Sequence, residues 1–146
     1  MVIRNAKKGD LNEYYKLRSN ATKEYSNIIK EPVTEESFNN IKKDFNKYVS
    51  SKKLVLLVFE ECGEIVAYLN GSITESYATI DYLFVDKGHR RKGIGESLTL
   101  EFINLLKSKK IKTCRLKVNL KNNVAIKCYG KLGFSISNYE MKKSLK

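Results

Sequence analysis

Several things that often announce a function are scarce in this chain. Its 146 residues include one proline, one histidine and no tryptophan. No apolar run approaches the roughly 20 residues needed to cross a bilayer, so no membrane partner is expected. Arg4, Lys7 and Lys8 are not followed by the apolar stretch of a secretory leader. The three cysteines, Cys62, Cys114 and Cys128, are odd in number and lack metal-binding spacing. They read as idle or buried thiols of a reducing cytoplasm, and no metal is expected. Low-complexity tracts and internal repeats are also missing. With 42% apolar and 30% charged residues, the composition is that of one globular domain over 1–146. A chain of this size buries about 68–70% of its unfolded surface, enough for a core without staples.

Acidic residues are scarce in one region. From Leu105 to Lys146 there are 12 Lys and Arg against a single acid, Glu140, whereas residues 1–104 hold 16 against 15. A basic third can attract polyanions or steer a cofactor that carries phosphates. It can equally be a solvated lysine-rich surface. The lysines are not interleaved with aromatics as in a single-strand binding groove, so nucleic acid is not expected as a partner.

What the chain does have is the stretch Arg90-Arg91-Lys92-Gly93-Ile94-Gly95. It follows the apolar run Tyr82-Leu83-Phe84-Val85 and opens a helical pattern that lasts to about Ser108. The first amides of a helix have no internal partner, and the helix dipole adds roughly half a positive charge there. A strand, a basic glycine-containing loop and a helix therefore form a ready phosphate site. Gly93 and Gly95 would let the main chain approach a diphosphate without a Cβ in the way. The spacing matches neither Gly-x-x-x-x-Gly-Lys-Ser/Thr nor Gly-x-Gly-x-x-Gly. His89 reads as a loop residue beside that site.

The periodicity predicts the remaining elements. Residues 2–6 form a first strand. A helix capped by Asp10, with Glu13 completing a box, runs to about Asn20. Pro32 breaks the chain, and Thr34 opens a second helix with Phe38, Ile41, Phe45 and Tyr48 at helical spacing. These aromatics read as core. Residues 54–61 and 65–73 form a hairpin, and 78–85 a fourth strand. The next helix carries Ile94, Leu98, Phe102, Leu105 and Leu106 on one stripe. Residues 113–119 alternate as a strand. Asn122 or Asn123 caps a last helix that Gly133 ends, and 134–136 and 139–145 close the sheet. This is an α/β order of the α+β kind. It implies a mixed sheet of six to seven strands with helices on both faces.

Two motifs then coincide. Arg-x-x-Gly-x-Gly stands at 90–95, and Asn122-x-x-Ala125-x-x-x-Tyr129-x-x-x-Gly133-Phe134 follows about 30 residues later. Together with the element order they resemble the GNAT acetyltransferases over nearly the whole chain. The resemblance implies acetyl-CoA as co-substrate and transfer of its acetyl group to a primary amine of a small molecule or peptide. It implies main-chain contacts to the cofactor from Leu83, Phe84 and Val85, where relatives have a strand bulge. It adds Arg90, Arg91, Lys92, Gly93, Ile94, Gly95 and Glu96 at the diphosphate, and Asn122 on the cofactor's arm. Tyr129 matches the family's general acid, and its other reading is a packed core tyrosine. Asn122 reads otherwise as only a helix cap. Relatives carry a Glu base at the positions of Thr79 or Lys117, and neither residue here can act so. Asp81, two residues beyond Thr79 on one strand face, is the remaining candidate base; it reads otherwise as a salt-bridge or solvent-facing residue. Cys128 has no histidine partner for nucleophilic catalysis. A homodimer is possible. The competing class is a GNAT-like module that binds coenzyme A or a polyanion without catalysis.

Overall fold

Apolar residues on alternating positions build the sheet. A computed structural model describes all 146 residues. Strand β1 (Val2–Asn5) pairs with β2 (Leu54–Glu61), β2 with β3 (Glu64–Ile73) and β3 with β4 (Ala78–Val85), all antiparallel. Strand β5 (Cys114–Leu116) joins β4 in parallel, giving the order β1-β2-β3-β4-β5. The helices are α1 (Leu11–Ile29), α2 (Glu36–Asn39), α3 (Ile41–Ser50), α4 (Ile94–Ser108) and α5 (Asn123–Lys131). The parallel step from β4 to β5 runs through α4, as a crossover requires.

The two faces of the sheet are covered separately. Val55, Leu57, Leu69, Ala78 and Ile80 face Leu98, Phe102 and Leu106 of α4. The alternate residues Leu56, Val58 and Tyr68 face Tyr14 and Leu17 of α1 and Ile41 and Phe45 of α3. The period-2 pattern of the strands thus divides one core into two layers.

The sheet has five strands, not six or seven. Residues 134–136 and 139–145 form no strand. A strand forms only on a neighbour that offers ladder groups, and β5 offers three residues where 113–119 suggested seven. Ile136, Tyr139, Met141 and Leu145 remain exposed, with lysines between them. Helix α1 runs nine residues beyond the expected Asn20, to Ile29, and Lys30 ends it in the left-handed region at φ 61°. The expected second helix is divided into α2 and α3 at Asn40. Asp10 does not cap α1 with its side chain. It accepts from the Lys7 amide at 2.7 Å and from Arg4 at 2.8 Å, and Arg4 also reaches Glu60 at 2.8 Å. Glu13 accepts from the Ile65 amide at 2.8 Å and so joins α1 to β3.

Candidate active site

The β4–α4 connection is built around a glycine that its backbone requires. Gly93 is the N-cap of α4 with φ 77°, and no side chain caps the helix. The first helix bond is Ser97 N–H to the Gly93 carbonyl at 2.9 Å. The amides of Ile94, Gly95 and Glu96 precede that bond and are free for an anion. Arg91 and Lys92 are exposed beside them, Arg91 itself at φ 67°. A Cβ on Gly95 would meet Val85 at 3.6 Å and Leu83 at 3.8 Å, so the helix start lies close on β4 without crowding.

Arg90 belongs to the frame of this loop. Its guanidinium makes a bidentate bond to Glu24 of α1, both at 2.6 Å, and its Nε donates to the Val85 carbonyl at 2.9 Å. Its pKa is raised, chiefly by the bond to Glu24. The side chain therefore joins the end of β4 to α1, and the formal charge beside the amides comes from Arg91 and Lys92. His89 stands 3.4 Å from Glu61 and 3.5 Å from Asp86, on the same turn.

Strand β4 has β3 on one side throughout, but β5 on the other only for Ala78, Ile80 and the residue between them. From Asp81 to Val85 that second edge has no strand partner. The β3–β4 register also breaks here: Asn70 faces Tyr82, Gly71 faces Ile80, and Asp81 has no partner. The bulge thus sits at Asp81, whereas the expectation placed it within Leu83-Phe84-Val85, which pair regularly with Leu69, Tyr68 and Ala67. Buried Asn70 occupies the register break and exchanges bonds with the Tyr14 hydroxyl, Asn70 Nδ2 donating at 3.0 Å.

A bulge places consecutive residues on one face, and here Asp81 and Tyr82 both point toward α1 and α3. Asp81 accepts from the Tyr48 hydroxyl at 2.6 Å and from the Ser72 hydroxyl at 3.2 Å. Asp81 is half-buried and forms no salt bridge. Burial, then the bond to Asp81, pushes the Tyr48 phenol well above its ordinary range. Tyr48 and Ser72 belong to no motif. Only the helical spacing of Tyr48 with Phe38, Ile41 and Phe45 marked it, and that spacing predicted packing.

Tyr129 lies on α5, and Asn122 is the N-cap of that helix. Asn122 Oδ1 accepts from the Ala125 amide at 3.3 Å, so the side chain caps the helix. Tyr129 packs against the α4-side core and edge-on to Phe134, ring centroids 5.5 Å apart. Burial pushes its phenol up to about 12, with the thiols of Cys128 and Cys114 adding to the rise. The free edge of β4 thus lies between an uncapped helix start and a carboxylate at a bulge, while the Tyr129 phenol packs in the α4-side layer.

Comparison with known proteins gives this arrangement a family. The family model described as the acetyltransferase (GNAT) family matches residues 14–134. That is most of the chain, and the protein belongs to the GNAT acetyltransferases. No curated protein matches it in sequence. Among solved structures, a mutant form of the BH1408 protein from Bacillus halodurans superposes with a TM-score of 0.88 at 24% identity, covering 100% of both chains. The PaiA N-acetyltransferase from Thermoplasma acidophilum, solved with coenzyme A, gives 0.81 at 20% identity, covering 95% of this chain and 92% of that one. Aminoglycoside 6'-N-acetyltransferase AAC(6')-IG from Acinetobacter haemolyticus gives 0.79 at 17% identity over 100% and 99% of the two chains. At these identities the likeness establishes the fold.

Proposed function

We propose that this protein transfers an acetyl group from acetyl-CoA to a primary amine of a small molecule or peptide, by direct attack in a ternary complex. One observation carries the reading. Strand β4 leaves β5 after Ile80, presents Asp81 at a bulge, and ends in a loop whose helix start is uncapped. The PaiA relative, solved with coenzyme A, supports the same cofactor class.

The residues present fit that cofactor. The amides of Ile94, Gly95 and Glu96, with Arg91 and Lys92 beside them, would hold its diphosphate, and Gly93 shapes the cradle. The free edge of Leu83, Phe84 and Val85 would receive its extended arm. Bound there, acetyl-CoA supplies an acyl carbon activated as a thioester. An amine is mostly protonated at neutral pH and attacks only after losing that proton. Asp81 would take the proton, directly or through a water. A main-chain N–H on the edge between Asp81 and Val85 would stabilise the oxygen as it gains charge. Tyr129, still protonated at neutral pH, would return a proton to the departing sulfur.

The test has two measurements. Acetyl-CoA in hundredfold excess over its Kd stabilises the native state by about 2.7 kcal/mol, visible as a raised Tm. Release of free coenzyme A is then followed with a panel of primary amines. Stabilisation without release from any amine would favour the non-catalytic binding module. An unchanged Tm at millimolar acetyl-CoA would overturn both readings.

A further inference from the structure

Two other arginines that enter the fold meet carboxylates. Arg4 meets Asp10 and Glu60, and Arg90 meets Glu24. Arg18, on α1, does not. It is half-buried, and its guanidinium carbon lies over the Tyr82 ring at 3.4 Å from the centroid, with no acidic group in ion-pair contact. A buried charge without a counter-ion is costly. Its neighbours are instead the phenols of Tyr68, Tyr82 and Tyr14. Phenols supply no negative charge at neutral pH, so the cation has company and no partner.

A second unmet group lies beside it. Tyr68 is fully buried, and its hydroxyl has no hydrogen-bond partner. It is within reach of Arg18, yet no bond of good geometry joins them. A guanidinium fork and a hydroxyl with both functions unused match the two oxygens of a carboxylate. The location matters as well. Tyr82, on which Arg18 rests, follows Asp81 in the bulge, and both side chains face α1 and α3. One wall of the β4 edge thus carries a carboxylate, Asp81, next to a cation without a counter-ion, Arg18.

We propose that Arg18 and Tyr68 recognise an anionic group of the acceptor, so that the amine this protein acetylates also carries a carboxylate. This rests on the acetyltransferase reading above. The ammonium end goes to Asp81 and the carboxylate end to the Arg18 fork, with the Tyr82 ring between them.

Two arms test it. In the first, the Arg18 Nε–H resonance of the whole protein is followed by NMR during titration with sodium acetate at constant ionic strength, with sodium chloride as control. A saturable shift specific to acetate, weakened in Tyr68→Phe, is the expected result. No shift beyond that with chloride overturns the proposal whatever the enzymatic outcome. In the second, kcat/KM is compared across matched pairs of short amino acids and alkylamines of the same length, β-alanine against propylamine among them. The carboxylated partners should be better by about tenfold or more, as a charge-assisted bidentate contact allows, and Arg18→Gln should erase the preference. Equal or better turnover of the alkylamines overturns it. Acetate binding at Arg18 without coenzyme A release from any amine would instead count against acetyl transfer, leaving the anion site standing.

Discussion

A phenol can help a thiolate depart only while it still holds its proton. Tyr129 meets that condition because burial pushes it up to about 12. At pH 7 to 9 it is neutral, so alkaline loss of activity in that range should not come from this group. We expect Tyr129→Phe to lower kcat on the order of a hundredfold while the KM for acetyl-CoA stays within about twofold. Steady-state kinetics on the two proteins decides this, and unchanged turnover removes Tyr129 from the mechanism. Tyr129 and Asn122 could be singled out in the sequence because one lies on a short helix and the other caps it, where spacing fixes their relation. Tyr48, Ser72, Glu24 and Arg18 could not. Most act through a residue far along the chain: Tyr48 and Asp81 are 33 positions apart, Arg90 and Glu24 are 66 apart. No local pattern encodes such a meeting. For the same reason Arg90 matched the cofactor motif by position, yet its guanidinium turned out to be held by α1.

At the scale of elements, two glycines separate crowding from conformation. Gly71 of β3 lies under α4, and a Cβ there would fall 2.4 Å from Cζ of Phe102. Phe102 is itself fully buried and cannot swing away. Gly93 has nothing within 4 Å but a φ of 77°. Gly71→Ala should therefore destabilise the fold by about 1–3 kcal/mol through overpacking. Gly93→Ala should cost on the order of 1 kcal/mol and weaken acetyl-CoA binding more than it weakens the fold. Denaturant melts with and without acetyl-CoA distinguish the two, and equal loss of ligand-induced stabilisation in both variants would contradict the assignment. Element type was largely legible, since β2, β3, β4, α4 and α5 follow from period alone. Their ends and their number were less so. The tail carries a strand-like pattern, but pairing depends on an edge elsewhere in the fold, and β5 is too short to offer one. The bulge was also invisible locally. Asp81 interrupts the alternation by one residue, and the register with β3 is what fixes its place.

The molecule as a whole carries its tyrosines in a pH-sensitive way. Tyr14, Tyr48, Tyr68 and Tyr129 all have raised pKa values, burial being the first cause for each, and Tyr14 and Tyr129 reach about 12. In the unfolded chain these phenols ionise near 10. The unfolded state therefore loses protons first as pH rises. Stability from this source is complete below about pH 10 and falls as pH climbs toward the folded values. Urea unfolding at pH 9, 10 and 11 should show a loss steeper than one proton accounts for, and a flat profile would refute this. The basic C-terminal third remains a surface property here. Lys142 reaches Glu31 at 3.4 Å with both side chains largely in solvent, a contact of little energetic weight.

The break in register at Asp81 has one more implication. Ile80 and Leu83 pack toward α4, while Tyr82 and Phe84 turn to the opposite layer, so β4 would alternate without fault if position 81 were simply missing. The carboxylate therefore occupies the one place in the strand that the ladder does not need. Removal of a single codon would yield an ordinary, continuous strand with every apolar residue still on its own side and no acid beside Tyr48 and Ser72.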